Sequence, residues 1–361
     1  NRKMSAIISY SRKILPLAAV LLLLLAGCKD HKSGGEVSSP ELIKFKGPTM
    51  GTLYSVSIVN NSESIPDMEI LRRAVDSVLE RVNSQMSLWD PESDISRFNN
   101  FEDTVPFEVA PELVLVVDRA LYVSEKSDGA FDLTVGPLVD LWGFGPPDGP
   151  DALPSSEEIA AAAALVRYQF IHVVDSIHLK KDHPGVRIDL GAIAKGYGVD
   201  KVAEVLALNG CTDMLVDIGG ELVARGLNAQ GNPWRIGIDL PEEGLMPGEK
   251  IQNAIDIADA GVATSGDYRN FTMINEVKYS HEIDPRTGRP VDHGMASVTV
   301  IAPTCMMADA WATALLVAGM DDAQRILHNL PGIEAMLQER QDDGTYEIWM
   351  TDGFRDTTVM E

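Results

Sequence analysis

Two hydrophobic periods alternate along this chain. Between Tyr54 and Val59 polar and apolar positions exchange residue by residue, which predicts a half-buried strand. From Asp67 onward Leu71, Val75, Val78, Leu79, Val82 and Met86 recur at helical spacing, until Pro91 forbids continuation. A second helix opens with Pro111 in its first turn, carries Leu113, Val117, Ala120 and Leu121 on one side, and stops at Ser127-Asp128-Gly129. The stretch Gly143 to Pro150 is rich enough in breakers to be a surface loop. Ser155 and Glu158 form a capping box for an alanine-rich helix reaching Val166. Runs at 170–174 and 177–180 predict a hairpin about Asp175-Ser176, and an apolar strand is expected over 186–190. A helix then spans about Ala194 to Leu208, with Asn209-Gly210 as its stop, followed by strands at 214–218, 234–240 and 254–257. Strands and helices without regular β-α alternation predict an α+β fold of mixed, largely antiparallel sheets with packed helices, not a Rossmann fold.

Composition changes the picture mainly at the N-terminus. Arg2, Lys3, Arg12 and Lys13 precede an apolar run from Ile14 to Leu25 that closes on Leu25-Ala26-Gly27-Cys28. A basic region, a short apolar core and small residues before a cysteine predict a secretory signal over residues 1–27, cleaved before a lipidated Cys28; L-A-G-C resembles the lipobox of bacterial lipoproteins. The apolar run is shorter than the roughly 20 residues that a membrane span needs. Residues 28–40 then read as a flexible tether, and 41–361 as the folded domain, held extracytoplasmically at a bacterial cell membrane. Loss of residues 1–27, with their four basic and no acidic side chains, takes the formal charge from −24 to −28. So acidic a surface repels nucleic acid. Cys211 and Cys305 remain, either paired or as buried thiols, and no C-x-x-C zinc spacing exists.

Candidate chemistry gathers in three stretches. In D-L-G-A-I-A-K-G-Y-G-V-D, residues 189–200, a glycine-rich turn joins strand to helix. Gly191, Gly196 and Gly198 there leave room for a phosphate or ring, unless they are merely the glycines of a tight turn. Asp189 and Lys195 flank that turn with opposite charges. In residues 281–290 the turn-forming Asp284-Pro285 and Thr287-Gly288 follow His281, putting a titratable base and two arginines on one loop; a solvated turn with an incidental histidine is the plainer reading. The third stretch is a capped helix from Thr304 to Gly319, apolar on nearly every side, whose polar interruptions Asp309 and Thr313 share a face one turn apart. A carboxylate there must be paired, bonded to backbone or bound to metal. Carboxylate plus hydroxyl suits a hard cation such as Mg²⁺ or Ca²⁺.

The ordered set of lipobox, P-T-M-G-T, M-S-x-W, G-A-F-D-x-T-V-G-P, D-L-G-A-I-A-K-G-Y, D-I-G-G-E, T-S-G-D-Y, H-x-I-D-P-R-T-G-x-P and A-D-A-W-A-T-A closely resembles the FAD:protein FMN transferase (ApbE) family over roughly residues 47–320. The resemblance implies a Mg²⁺-dependent enzyme that binds FAD as substrate and transfers FMN to a threonine or serine hydroxyl of an exported or membrane flavoprotein subunit, releasing AMP. It places FAD contacts on Met50, Trp89, Ala130, Phe131, Asp132, Asp189, Lys195 and Ile283, and the metal on Asp309, Thr313 and the carbonyl of Ala192. Ala312 offers no side-chain ligand. His281 is then the candidate general base for the incoming hydroxyl. Trp89, Phe131 and Tyr197 are candidates to stack on flavin or adenine, or else core aromatics. The competing expectations are hydrolysis of FAD to FMN and AMP, and a non-catalytic flavin-binding lipoprotein.

Overall fold

Eight antiparallel strands form the main sheet in strict chain order: β1 (Leu42–Thr49), β2 (Thr52–Val59), β3 (Met214–Ile218), β4 (Glu221–Arg225), β5 (Ala260–Gly266), β6 (Met295–Ala302), β7 (Glu334–Arg340) and β8 (Tyr346–Met350). The computed structural model describes residues 40–144, 153–246, 248–267, 271–274 and 277–359. The expected signal, lipidated cysteine and nearly all of the tether lie outside these residues, as does most of the Gly143–Pro150 loop. Helices α1 (Met68–Met86), α2 (Asp94–Asn100), α3 (Pro111–Lys126), α4 (Gly136–Leu141), α5 (Ser156–Ala163) and α6 (Ala194–Leu208) are all inserted between β2 and β3. Helices α7 (Cys305–Ala318) and α8 (Met320–His328) fill the link from β6 to β7, and α9 (Asp352–Thr357) follows β8.

Strand alternation decides which layer each side chain joins. Tyr54, Val56 and Ile58 of β2 bury themselves with Leu71, Val75 and Leu79 of α1 and Val199, Val202 and Leu206 of α6. On β4, Val223 joins that helical layer, whereas Leu222 and Ala224 face Trp234, Ile238, Ile255 and Ile257 of a small sheet on the opposite side. Helix α7 packs against β5, β6, α3, α6 and α8. Its all-round apolar sequence follows from having neighbours on so many sides, with Trp311 and Leu315 fully buried.

Most of the expected elements form. The capping box at Ser155 is present, with Glu158 N donating to Ser155 Oγ at 3.2 Å and Ser155 N donating to Glu158 Oε2 at 2.8 Å. The hairpin pairs Ile171–Val173 with His178–Lys181. Cys211 and Cys305 are buried free thiols. Residues 186–190, however, form no strand. Their backbone is satisfied by side chains and a loop instead: Asn99 Nδ2 donates to Ile188 O and Ile188 N donates to Asn99 Oδ1, both at 2.8 Å, while Asp189 N donates to Leu133 O at 2.7 Å. A single amide thus copies a strand neighbour's pairing.

The same segment rests on a buried lysine. Lys181 Nζ donates to the carbonyls of Asn99, Pro184 and Val186 at 3.0, 2.9 and 3.2 Å and lies over the Phe98 ring at 5.4 Å. Lys181→Met would leave three carbonyls without that donor, so a stability loss of roughly 3 kcal/mol is expected, read by urea denaturation.

Candidate active site

A cavity of about 390 Å³ opens where the turn before α6, the facing ends of β4 and β5, the 281–285 loop and α7 converge. Its position depends on how closely α6 and α7 approach. A Cβ on Gly196 would overlap the Cys305 carbonyl, and one on Gly261 of β5 would overlap the Cys305 amide. Both glycines therefore let the start of α7 wedge between helix and sheet. Gly198 likewise accommodates Met50, whose Cε would lie 2.9 Å from an added Cβ. Of the three glycines expected to make room for a ligand, only Gly191 lines the cavity; the other two make room for protein.

Asp200 of α6 fixes the register. Its Oδ1 and Oδ2 accept from Cys305 N and Met306 N, each at 2.9 Å, capping α7 beside its own Thr304 cap. Burial pushes the Asp200 carboxyl up to about 6, against the pull of the two amides. The folded value lies above the ordinary carboxylate value, so the native state binds the extra proton and stability falls as pH rises from about 4 to about 6. That loss reaches about 3 kcal/mol. Urea denaturation across pH 4–7 is expected to give a shallower slope for Asp200→Asn than for the unsubstituted chain.

With the register set, Asp309 and Thr313 face the cavity from α7. Asp309 is 3% exposed and accepts from Gly196 N at 2.9 Å through Oδ2. Burial pushes its carboxyl up, opposed by Lys195 and the Gly196 amide. The backbone bond foreseen as an alternative to metal thus exists, but to the neighbouring helix and through one oxygen. Thr313 Oγ1 lies 3.1 Å from Ser265 Oγ of β5. Lys195 Nζ pairs with Glu221 Oε1 of β4. Burial works against the lysine's charge, but Asp309 and Glu221 override it and hold the ammonium above its ordinary value. Glu221 is 6% exposed, is pushed up by burial and by Asp309, and its Oε2 is buried with no hydrogen-bond partner among the described residues.

The remaining expected residues divide. Ala130, Phe131, Asp132, Asp189, Ala192, His281 and Ile283 all line the cavity with Lys195, Asp309 and Thr313. Asp132 has both oxygens engaged, by Thr134 N and Oγ1 at 2.8 and 2.6 Å and by Tyr168 N at 2.8 Å, so it shapes the loop that presents Phe131. Asp189 Oδ1 accepts from Gly191 N at 2.7 Å and tightens the turn before Ala192, while burial pushes its carboxyl up. Met50 and Trp89 do not line the cavity: Met50 packs on α6, and Trp89 is 73% exposed in a separate shallow groove with Pro91 and Arg187. Tyr197 is a core residue at 4% exposure. Arg286 binds Asp284 through two bonds of 2.9 and 3.0 Å and reaches Val317 O, and Arg289 is exposed, so neither brings its charge to the cavity. Among the lining residues that escaped the sequence reading are Glu221, Ser265 and Glu282. Glu221 and Ser265 sit inside D-I-G-G-E and T-S-G-D-Y, but only topology shows that the ends of β4 and β5 meet α7.

The donor set suits a hard cation. Asp309 spends one oxygen on backbone, Thr313 adds a hydroxyl, Ala192 lines the same cavity, and the Glu221 carboxylate is near enough for Asp309 to push it up. No group of three or more His, Cys, Asp or Glu side chains among the described residues forms a closed metal cage. A cation here would be completed by backbone and ligand oxygens, as Mg²⁺ commonly is.

Fold and site together define an α+β protein whose cavity joins a buried cation–carboxylate cluster to apolar walls. The chain belongs to the ApbE family, whose model matches residues 50–337. It is 40% identical over 331 residues to the FAD:protein FMN transferase of Vibrio cholerae serotype O1, covering 92% of this chain and 95% of the relative. It is 35% identical over 359 residues to the enzyme of the same name from Escherichia coli strain K12, covering 98% and 99%. Among solved structures, the flavin transferase ApbE from Vibrio cholerae superposes with a TM-score of 0.81 at 39% identity, over 88% of this chain and 99% of that one. The apo form of Pseudomonas stutzeri flavinyl transferase ApbE gives 0.80 at 35% identity, over 90% and 98%.

Proposed function

We propose that this chain is an FAD:protein FMN transferase that uses Mg²⁺ and delivers FMN to a threonine or serine hydroxyl of an exported flavoprotein subunit, releasing AMP. The observation that carries the reading is the meeting of Asp309 and Thr313 with Ala192 and Lys195 in one cavity, across more than a hundred residues of sequence. Asp309, Thr313 and the Ala192 carbonyl would hold the metal, which when bound neutralises charge on the diphosphate oxygens. Lys195, kept protonated by its two carboxylates, provides a fixed positive charge for the same diphosphate. Phe131, Val135, Val139 and Ile283 supply apolar surface for a ring. His281 takes the proton of the acceptor hydroxyl as its oxygen bonds to the FMN phosphorus and the bond from that phosphorus to the AMP phosphate breaks.

Full chain, FAD, Mg²⁺ and candidate acceptor subunits should give covalent flavin fluorescence, with FMN mass on a threonine or serine. Steady AMP release without acceptor would instead favour hydrolysis. FAD binding that survives chelation, with the cofactor unchanged after long incubation, would favour a non-catalytic flavin carrier. L-A-G-C further supports export and lipid attachment at Cys28, readable as loss of fatty-acid labelling in Cys28→Ala.

A further inference from the structure

We propose that Glu282 is a positioning residue for His281, its carboxylate orienting the imidazole and favouring the imidazolium formed as the acceptor hydroxyl gives up its proton. Glu282 Oε1 stands 3.3 Å from His281 Nε2, and the two side chains are 13% and 30% exposed. Both line the cavity. Adjacent residues on a regular strand point to opposite faces, but these two lie between two short hairpins, where the chain turns enough to bring them together. The backbone of Glu282 is held on both sides: its N donates to Ser280 Oγ at 3.2 Å, and its carbonyl accepts from Val291 N at 3.0 Å. The Phe144 ring approaches the imidazole edge-on at 6.5 Å between centroids.

This inference rests on the reading of His281 as the base. The carboxylate is costly where it is: burial pushes Glu282 up, Asp309 of α7 adds to that, and His281 and Lys195 of α6 oppose it. An amide or apolar residue would fill the same space without that cost, so the charge calls for a use. Metal ligation is the rival use, and the Mg²⁺ titration below separates the two. His281 Nε2 lies within ion-pair distance of the Glu282 carboxylate and pairs with it whenever the ring is protonated.

The test is Glu282→Gln in the full chain, which keeps shape and removes charge. FMN transfer by the unsubstituted chain to an acceptor subunit tests the underlying reading first; if no acceptor is labelled, that reading fails. With transfer established, Glu282→Gln is expected to lower kcat about tenfold, leave half-saturation by FAD and Mg²⁺ within twofold, and move the acid limb of the pH–rate profile down by about one pH unit. The inference is overturned if kcat and the acid limb are unchanged. It is equally overturned if half-saturation by Mg²⁺ rises in step with the fall in rate, which would make Glu282 a metal-side carboxylate, or if fluorescence titration shows that FAD binding is lost, which would make it structural.

Discussion

Asp309→Ala is expected to lower FMN transfer by on the order of a thousandfold while the chain stays folded. The carboxylate is the only formally charged oxygen donor on the α7 face that turns to the cavity, and Thr313 alone gives a hard cation too little charge to compete with water. Folding survives because the carboxylate is itself expensive: it is buried, pushed up by that burial, and adds to the strain on Glu221. What the alanine does lose is the acceptor for Gly196 N, costing about 1–3 kcal/mol. Asp309→Asn separates the two effects. Its amide oxygen can still accept from Gly196 N, so its melting temperature should stay close to that of the unsubstituted chain, while transfer falls almost as far as in the alanine variant. Equal activity of Asp309→Asn and the unsubstituted chain across a Mg²⁺ titration would remove the metal role from this residue.

Much of this site could be read before its geometry was known, and the reason lies in which signals are local. The i, i+4 placement of Asp309 and Thr313 on an apolar helix is a local signal, and the helix forms at Cys305–Ala318 with both residues on the cavity face. Helix α6 and strand β3 also fall at the expected bounds, with the Asn209-Gly210 stop separating them. Tertiary substitution for a local rule is harder to see. The apolar run at 186–190 has strand composition, but the Asn99 amide and the Leu133 carbonyl take the place of sheet partners. Strand β6 was likewise hidden, since all eight of its residues are buried, Ser297 and Thr299 included, so its polar positions mark no solvent face. Gly196 and Gly198 were legible as glycines whose missing Cβ matters, but not as glycines that admit Cys305 and Met50. The three carboxylates that interact with Lys195 come from three separate segments, and no spacing rule connects Asp309, Glu221 and Glu282.

Lys195 is where that cluster is held together, so its removal should have the largest effect on stability. Lys195→Met keeps much of the apolar stem but leaves Glu221 buried without its ion-pair partner and Asp309 without its opposing charge. Removing one member of a buried pair typically costs about 3–5 kcal/mol, and that range is expected at pH 8. The sign of the pH dependence follows. Burial already pushes both carboxyls up, and losing the ammonium pushes them further, so the native state takes up protons more readily than the unfolded chain as pH falls. The destabilisation should therefore shrink at pH 5.5, where protonation replaces the missing cation. Saturating Mg²⁺ at pH 8 should recover part of it by the same route, because binding to the folded state alone raises stability. A second substitution separates stability from function: Lys195→Met/Glu221→Gln removes both members of the pair and should regain most of the stability lost in the single variant, as replacing a whole buried pair is far less costly than breaking it. Transfer should not return with it, since the diphosphate would still lack its fixed positive charge. Recovery of both stability and transfer in the double variant would mean that Lys195 serves only to neutralise Glu221.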